Sequence, residues 1–394
     1  MIRQNWKELT FIQIGGAICL PLLLIGFEIG RKVSFLPAVG ICLVGNGLLT
    51  LLAIAIGKLA VRERKTTSEC IASILGNRAR VLASLLITVS MLSWFAIQTE
   101  VIVQDVLLLF GLDQSVAFIF TAFATMLMVS SCLYGLKSIE RLSRFATPVM
   151  AITLLIAVVC KREGAFATSF ENFEALQQGL LVIVGGTIMA IIDLPTFFRT
   201  AHSEKEITKA SVASFLVGVS FVEIMGAWLS AGTESESLME TLLISQAYLW
   251  SVWIAVFIFL AGWTTNVANL YSGGMALTSL LPKLSEKRGI LFIGALGLML
   301  SQIQLLGRIE QILEAIAVTT IALGAELARA SFMRSVNRRA SWVAVVAGTL
   351  LGIVELVLGS AMFGSSLLDV FIVTLLLSQL LQKQMRYEDE VRSS

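Results

Sequence analysis

Two segments decide how this chain folds. The first reads Ile14-Gly15-Gly16-Ala17-Ile18-Cys19-Leu20-Pro21. The second reads Val184-Gly185-Gly186-Thr187 and continues into Asp193-Leu194-Pro195-Thr196. Each sits inside a long apolar run, and each joins a glycine pair to a nearby proline. Glycine lowers the cost of leaving the helix, and proline removes a backbone donor. Freed backbone groups at bilayer depth persist only beside protein or a polar cavity.

The composition names the solvent of the remaining chain. Of 394 residues, 57% are hydrophobic and 14% charged, against about 25% charged in a soluble domain. Mean hydropathy is +0.86. A chain this apolar cannot cover a water-facing surface, so a cytosolic enzyme, a nucleic-acid binder and a disordered protein are excluded. The expectation is an all-α polytopic membrane protein. The five cysteines show no metal-ligand spacing and read as small buried hydrophobes. The single histidine, His202, leaves no basis for a histidine metal site, and it reads as solvated. No cofactor and no cleavable signal peptide are expected.

A spanning helix needs roughly 20 apolar residues. Twelve runs qualify, at about 9–29, 34–59, 81–110, 115–136, 142–160, 176–198, 210–230, 246–280, 289–307, 309–333, 341–363 and 365–382. Only Phe363-Gly364-Ser365-Ser366 marks a turn between the last two. With the N-terminus cytoplasmic, 24 of the 29 Lys and Arg residues fall on the cytoplasmic side. Arg31, Lys32, Lys161, Arg162 and Arg308 are the exceptions, and the outside loop Thr233-Glu234-Ser235-Glu236-Ser237 holds no basic residue. This bias predicts both termini in the cytoplasm and the inner membrane as the location.

The glycine–proline segments fall on spans 1 and 6, five helices apart. Paired broken segments in two halves point to a transport site between inverted repeats; close helix packing is the alternative reason for such glycines. Span 8 carries Ala261-Gly262-Trp263-Thr264-Thr265-Asn266-Val267-Ala268-Asn269. Adjacent threonine hydroxyls are hard oxygen donors suited to a small cation such as Na⁺, or else to interhelical hydrogen bonds. On span 3, Trp94 and Gln98 are four apart and share a helix face. An indole beside an amide suits a planar heterocycle, which stacks on one and pairs with the other. The intramembrane acids Glu100, Asp105, Asp193, Glu223, Glu326 and Glu355 are costly in lipid and therefore functional candidates. Asp193 ranks first as a proton or gating carboxylate, with Glu100 beside it. Arg199 reads as a cytoplasmic anchor.

Taken in order, these elements resemble the nucleobase:cation symporter-1 family, the cytosine, purine, uracil, allantoin and hydantoin permeases. The carriers are Leu9-Thr10-Phe11 with Gly15, Trp94-Phe95, Phe197-Phe198-Arg199, and Trp263-Thr264-Thr265-Asn266 followed by Tyr271-Ser272-Gly273. The similarity runs from about residue 9 to 340, and within the family the cytosine permease branch is most similar. The resemblance implies a single transporter domain with twelve helices and a leucine-transporter-like five-plus-five inverted repeat. Repeat one covers about 9–160 and repeat two about 176–333. Helices 1 and 6 are broken, and two extra C-terminal helices cover about 341–382. It implies secondary active import of a planar nitrogen heterocycle, usually coupled to Na⁺, by a monomer in the lipid bilayer with no nucleic-acid partner. The implied cation ligands are the backbone carbonyls of Gly15, Ile18 and Ala261 and the hydroxyls of Thr264 and Thr265. The implied substrate residues are Trp94, Gln98, Gly186, Thr187, and Asn266 or Asn269. The family's span 6 aromatic position holds Thr187 here. The rival expectations are H⁺ coupling through Asp193 or Glu100, a thiamine-precursor pyrimidine as substrate, and a non-transporting membrane receptor of the same superfamily.

Overall fold

A computed structural model describes residues 3–160, 173–231, 235, 237–243, 247–303, 310–333 and 337–393. Among these residues the fold is helical apart from one isolated backbone bridge, Gln4 with Ala201. The first half comprises α1 (Trp6–Ala17), α2 (Leu20–Val33), α3 (Phe35–Glu63), α4 (Thr67–Leu75), α5 (Asn77–Phe110), α6 (Ala117–Cys132) and α7 (Leu136–Cys160). The second half comprises α8 (Phe173–Ile192), α9 (Leu194–Phe198), α10 (Glu204–Ser211), α11 (Ser220–Ser230), α12 (Leu238–Leu242), α13 (Tyr248–Leu280), α14 (Glu286–Leu300) and α15 (Glu310–Phe332). The C-terminal pair is α16 (Arg338–Leu358) and α17 (Ser366–Ser393). A π-helical stretch, Val212–Val219, joins α10 to α11.

Helix lies over each of the twelve expected stretches. Among the described residues nine helices are long and apolar enough to cross a membrane, ten if the bent pair α1 and α2 counts as one span. With 15 residues α14 is short for a span, and α15 carries Glu326 and Arg329 in its interior. The outer surface is apolar, with Leu51, Phe118, Leu249 and Val357 all exposed. That belt suits lipid and makes the chain an integral membrane protein. The turn expected at Phe363–Ser366 is present, with Gly359 and Gly364 at positive φ between α16 and α17. Lys161, Arg162, Arg308, Arg334 and most of the Thr233–Ser237 loop lie outside the described residues.

The first break forms where it was expected. An Asn5–Glu8 capping box starts α1: Asn5 Oδ1 accepts the amides of Lys7 and Glu8, and Glu8 accepts the Asn5 amide at 2.8 Å. The helix stops at Ala17. The Cys19 amide, which a continued helix would give to Gly15, donates instead to the Ala17 carbonyl at 2.8 Å. Pro21 occupies the first turn of α2, where its missing N–H costs nothing. The two segments meet at 65°.

The second break differs from the expectation. Helix α8 runs straight through Gly185 and Gly186 to Ile192, and the interruption falls at Asp193. Gly186 serves packing. A Cβ on Gly186 would come within 2.8 Å of the Ile25 side chain on α2. Pro195, in the first turn of α9, sets the break instead.

A seam of small residues fastens α2 to α11. A Cβ on Gly26 would overlap the Glu223 main chain, and one on Gly226 would overlap the Leu23 carbonyl. Backbones this close leave room for glycine alone. Four of the five cysteines are buried as expected; Cys160 is exposed.

Candidate functional site

The expected cation residues gather where α1 ends against α13. Thr265 Oγ1 donates to the Gly16 carbonyl at 3.1 Å and to the Ala261 carbonyl at 2.8 Å. Thr264 Oγ1 donates to the carbonyls of Leu260 at 2.9 Å and Ala261 at 3.2 Å. A hydroxyl that donates to a carbonyl keeps its lone pairs for a cation. Gly15 has lost the amide partner of its carbonyl to the bend, and Ile18, 2% exposed, caps the helix there. The group therefore offers two hydroxyl oxygens and several backbone carbonyls, a hard oxygen set suited to an alkali cation. Gly15 also has a packing reason, since a Cβ there would overlap Ser143 on α7. The Gly16 carbonyl, absent from the expected ligands, makes the direct link to α13.

The substrate residues divide into those already committed to the protein and those left open. Asn266 is fully buried; its amide donates to the Phe95 carbonyl at 3.2 Å and Thr99 Oγ1 at 2.9 Å. Its own oxygen accepts from Asn269 at 3.1 Å. Both amide protons of Asn266 thus tie α13 to α5, and Asn269 bonds Asn266 within α13. Trp94 is 38% exposed, so its indole face is available for stacking. One turn on, Gln98 has a buried Oε1 with no hydrogen-bond partner. Thr187, 4% exposed, has a hydroxyl in the same condition. Unpaired buried polar atoms are costly and uncommon, and each of these two is open to a ligand hydrogen bond. Gly186 lies in unbroken helix against α2, so its backbone is not released as expected. Trp263 bonds Ser131 of α6 at 3.1 Å and acts as an interhelical tie.

Asp193 is the centre of a separate polar cluster. Its Oδ1 accepts from Thr67 at 2.7 Å and Thr196 at 2.8 Å, and its Oδ2 accepts from Ser272 at 2.5 Å. One carboxylate thereby fastens α4, α9 and α13 together. Three donors suit a fixed anchor better than a mobile proton carrier. Glu100 is buried within α5.

Three contributors escaped the sequence reading. Arg199 is 8% exposed, not a surface anchor; it donates to the Tyr271 hydroxyl at 3.2 Å and the Thr196 carbonyl at 3.2 Å. Helix α4 lies between the second and third expected spans, and Thr66 with Glu69 is a capping-box pattern visible in the sequence. Arg64, in the left-handed region at φ 57°, donates to the carbonyls of Arg199, at 2.8 Å, and Ala201. Alongside, the Gln4 amide donates to the Thr200 carbonyl at 2.8 Å, the His202 amide returns a bond to Gln4, and Glu206 accepts the Trp6 amide at 2.6 Å. The N-terminal segment is pinned over this end of the helices, and the His202 side chain is exposed as expected.

Residues 3–328 match the family model described as permease for cytosine/purines, uracil, thiamine, allantoin. Cytosine permeases of Escherichia coli K12 and O157:H7 are 22% identical over 284 residues, 71% of this chain. The match spans 66% of those relatives, just under two thirds of their length. Among solved structures, the nucleobase-cation-symport-1 family transporter Mhp1, closed with bromovinylhydantoin bound, aligns with a TM-score of 0.79 and 17% identity over 97% of this chain and 93% of that one. Inward-facing Mhp1 aligns at 0.69 with 15% identity and the same coverage. A substrate-bound, outward-open Na⁺-coupled sialic acid symporter aligns at 0.74 with 11% identity over 96% and 88%. At these identities the structures speak for the fold, and the family model speaks for descent. The chain belongs to the nucleobase:cation symporter-1 family, a family of permeases rather than enzymes.

Proposed function

We propose that this protein imports a nucleobase or related planar nitrogen heterocycle, with cytosine the first candidate, by Na⁺-coupled symport. The observation that carries the reading is the Thr265 hydroxyl, which joins the broken end of α1 to α13 at the Gly16 and Ala261 carbonyls. A Na⁺ ion held by Thr264, Thr265, Gly15, Ile18 and Ala261 would brace the bend against α13. The heterocycle would stack on Trp94 and satisfy Gln98, Thr187 and Asn269. Moving one positive charge inward through about 100 mV supplies roughly 2.3 kcal/mol, enough to concentrate a substrate substantially.

The topology belongs to the same reading. It comprises twelve spans with both termini in the cytoplasm, two inverted repeats of five, two added helices, and a monomer in the inner membrane. Alternating access would then release the Arg64 and Gln4 contacts when the cytoplasmic side opens. The family description supports a heterocycle as cargo.

The test is a thermal-shift panel of nucleobases and pyrimidine precursors, thiamine precursors included, with and without Na⁺. Radiolabelled uptake into proteoliposomes follows. Stabilisation by one planar heterocycle that grows with Na⁺ is the expected result. Stabilisation independent of Na⁺, with uptake driven by a pH gradient alone, would replace Na⁺ with H⁺. Saturable binding without uptake would make the protein a receptor.

A further inference from the structure

Among the buried acids that the transport site leaves unused is Glu223. It lies on α11, fully buried, and faces α3. Its Oε2 is 2.5 Å from Asn46 Nδ2, while Glu223 Oε1 and Asn46 Oδ1 both lack hydrogen-bond partners. The Cys42 thiol of α3 lies against the same carboxyl group, and α2 presents the main chain of Gly26. Cys19, at the bend, is the other titratable group within electrostatic range. Among the described residues no lysine, arginine or histidine forms an ion pair with Glu223, and no titratable side chain of α7 or α12 bonds to it.

We propose that Glu223 and Asn46 form a proton-binding site inside the helix bundle, separate from the α1 bend. A carboxylate sealed from cations, with the Asn46 amide and the Cys42 thiol as its donors, is costly as a charge at this depth. A carboxylic acid is not. A 2.5 Å separation lies within the O–H···O range and below the usual N–H···O range. Turning the Asn46 carboxamide over, an assignment that rests on the hydrogen-bond network, lets protonated Glu223 donate to Asn46 Oδ1. The ionised form instead accepts from Asn46 Nδ2. The same amide therefore serves both states by turning over, and the proton is gained or lost at the Glu223 carboxyl.

The hydroxyls of Ser211, Ser214 and Ser220 are buried without partners on the chain between the Arg199–Lys209 end and Glu223. Part of that chain is the π-helical stretch, a deviation that frequently accompanies functional sites. The Glu223 main chain touches Gly26 of α2, so the site adjoins the half-helix that follows the bend. Its place in a transport cycle rests on the proposed function; its protonation does not.

Infrared spectra of the purified protein in lipid, titrated across pH with and without D₂O, read the protonation directly. Wild type is expected to show a protonated-carboxyl band that Glu223→Gln lacks. Identical bands in the two proteins would overturn the proposal. Asp193→Asn serves as the control and is expected to keep the band. Proteoliposomes containing a pH dye and supplied with cytosine and Na⁺ then test coupling. Substrate-dependent acidification should be lost in Glu223→Gln while Na⁺-dependent cytosine uptake continues. Acidification equal to wild type, or none in a wild type that takes up cytosine, would overturn the coupling role. A wild type that takes up no cytosine counts against the proposed substrate, and the infrared band still decides the proton site.

Discussion

Replacing Asn266 with alanine separates a structural tie from a substrate ligand. The residue makes three interhelical bonds, to the Phe95 carbonyl at 3.2 Å, to Thr99 at 2.9 Å and to Met128 Sδ at 3.7 Å, and accepts one from Asn269 within α13 at 3.1 Å. Interhelical hydrogen bonds in membranes average about 0.6 kcal/mol and reach about 1.7, so three account for about 2 kcal/mol. The gap left by a fully buried side chain adds about 1 kcal/mol. A loss of about 3 kcal/mol lowers the unfolding temperature of a chain of this size by about 4 °C. Asn269→Ala surrenders one of those bonds and should cost under about 1 kcal/mol in stability. If Asn269 meets the substrate, the same change should weaken binding about tenfold, equivalent to about 1.4 kcal/mol. The assay pairs thermal unfolding in detergent with calorimetric binding normalised to folded protein. The reasoning is refuted if Asn266→Ala keeps its stability and loses binding, or if Asn269→Ala leaves binding untouched.

Thr264→Ala combined with Thr265→Ala should abolish Na⁺-dependent uptake at unchanged expression; retained Na⁺ dependence, read by isotope uptake at varied Na⁺, removes the cation assignment. Trp94→Ala should weaken heterocycle binding by about tenfold, since a stacked aromatic pair contributes up to about 1.5 kcal/mol beyond burial, with thermal stability little altered because the ring is already 38% exposed. Arg64→Ala removes charged donors from two backbone carbonyls, each bond worth about 1.5 kcal/mol when buried and less at this half-exposed position. It should raise alkylation of Cys70, 1% exposed, about tenfold in a Cys160→Ser background, and an unchanged rate would free the closed arrangement from Arg64. Gly26→Val should prevent stable folding, since even a Cβ there would overlap the Glu223 main chain; size-exclusion chromatography of a normal monodisperse protein would contradict it.

Much of the helical order was legible because lipid imposes a crude length rule, and the apolar runs obey it. The bend at Ile18 was legible for a related reason: Gly15, Gly16 and Pro21 weaken one helix within two turns. The same pattern misled on span 6, because a glycine pair that releases a backbone and one that admits a neighbour look alike in sequence. Only the position of Ile25 opposite Gly186 tells them apart. Thr264 and Thr265 were recognisable as oxygen donors, but their partner at Gly16 depends on how α1 meets α13. Asn266 and Asn269 are equivalent by type, and their roles part only because Phe95 and Thr99 take the first amide. Arg199 was misplaced for a general reason, that a basic residue beside a span end is normally a surface anchor. Its burial depends on Tyr271, distant in the chain.

The seam between α2 and α11 decides which part of the bent span is a lever. Gly26 and Gly226 put backbone against backbone along that contact, and such a joint cannot slide without a steric clash. The segment after the bend is therefore ballast, carried by whatever body α11 belongs to. The segment before it is held by the Thr265 hydroxyl, the Gln4 bridge and the Glu206 carboxylate, and by the close approach of Gly15 to Ser143 of α7. If the proposed alternating access bends the span at Ile18 and Cys19, the arm packed on α11 is the fixed one, and the twelve-residue arm before it carries the Gly16 carbonyl that meets α13.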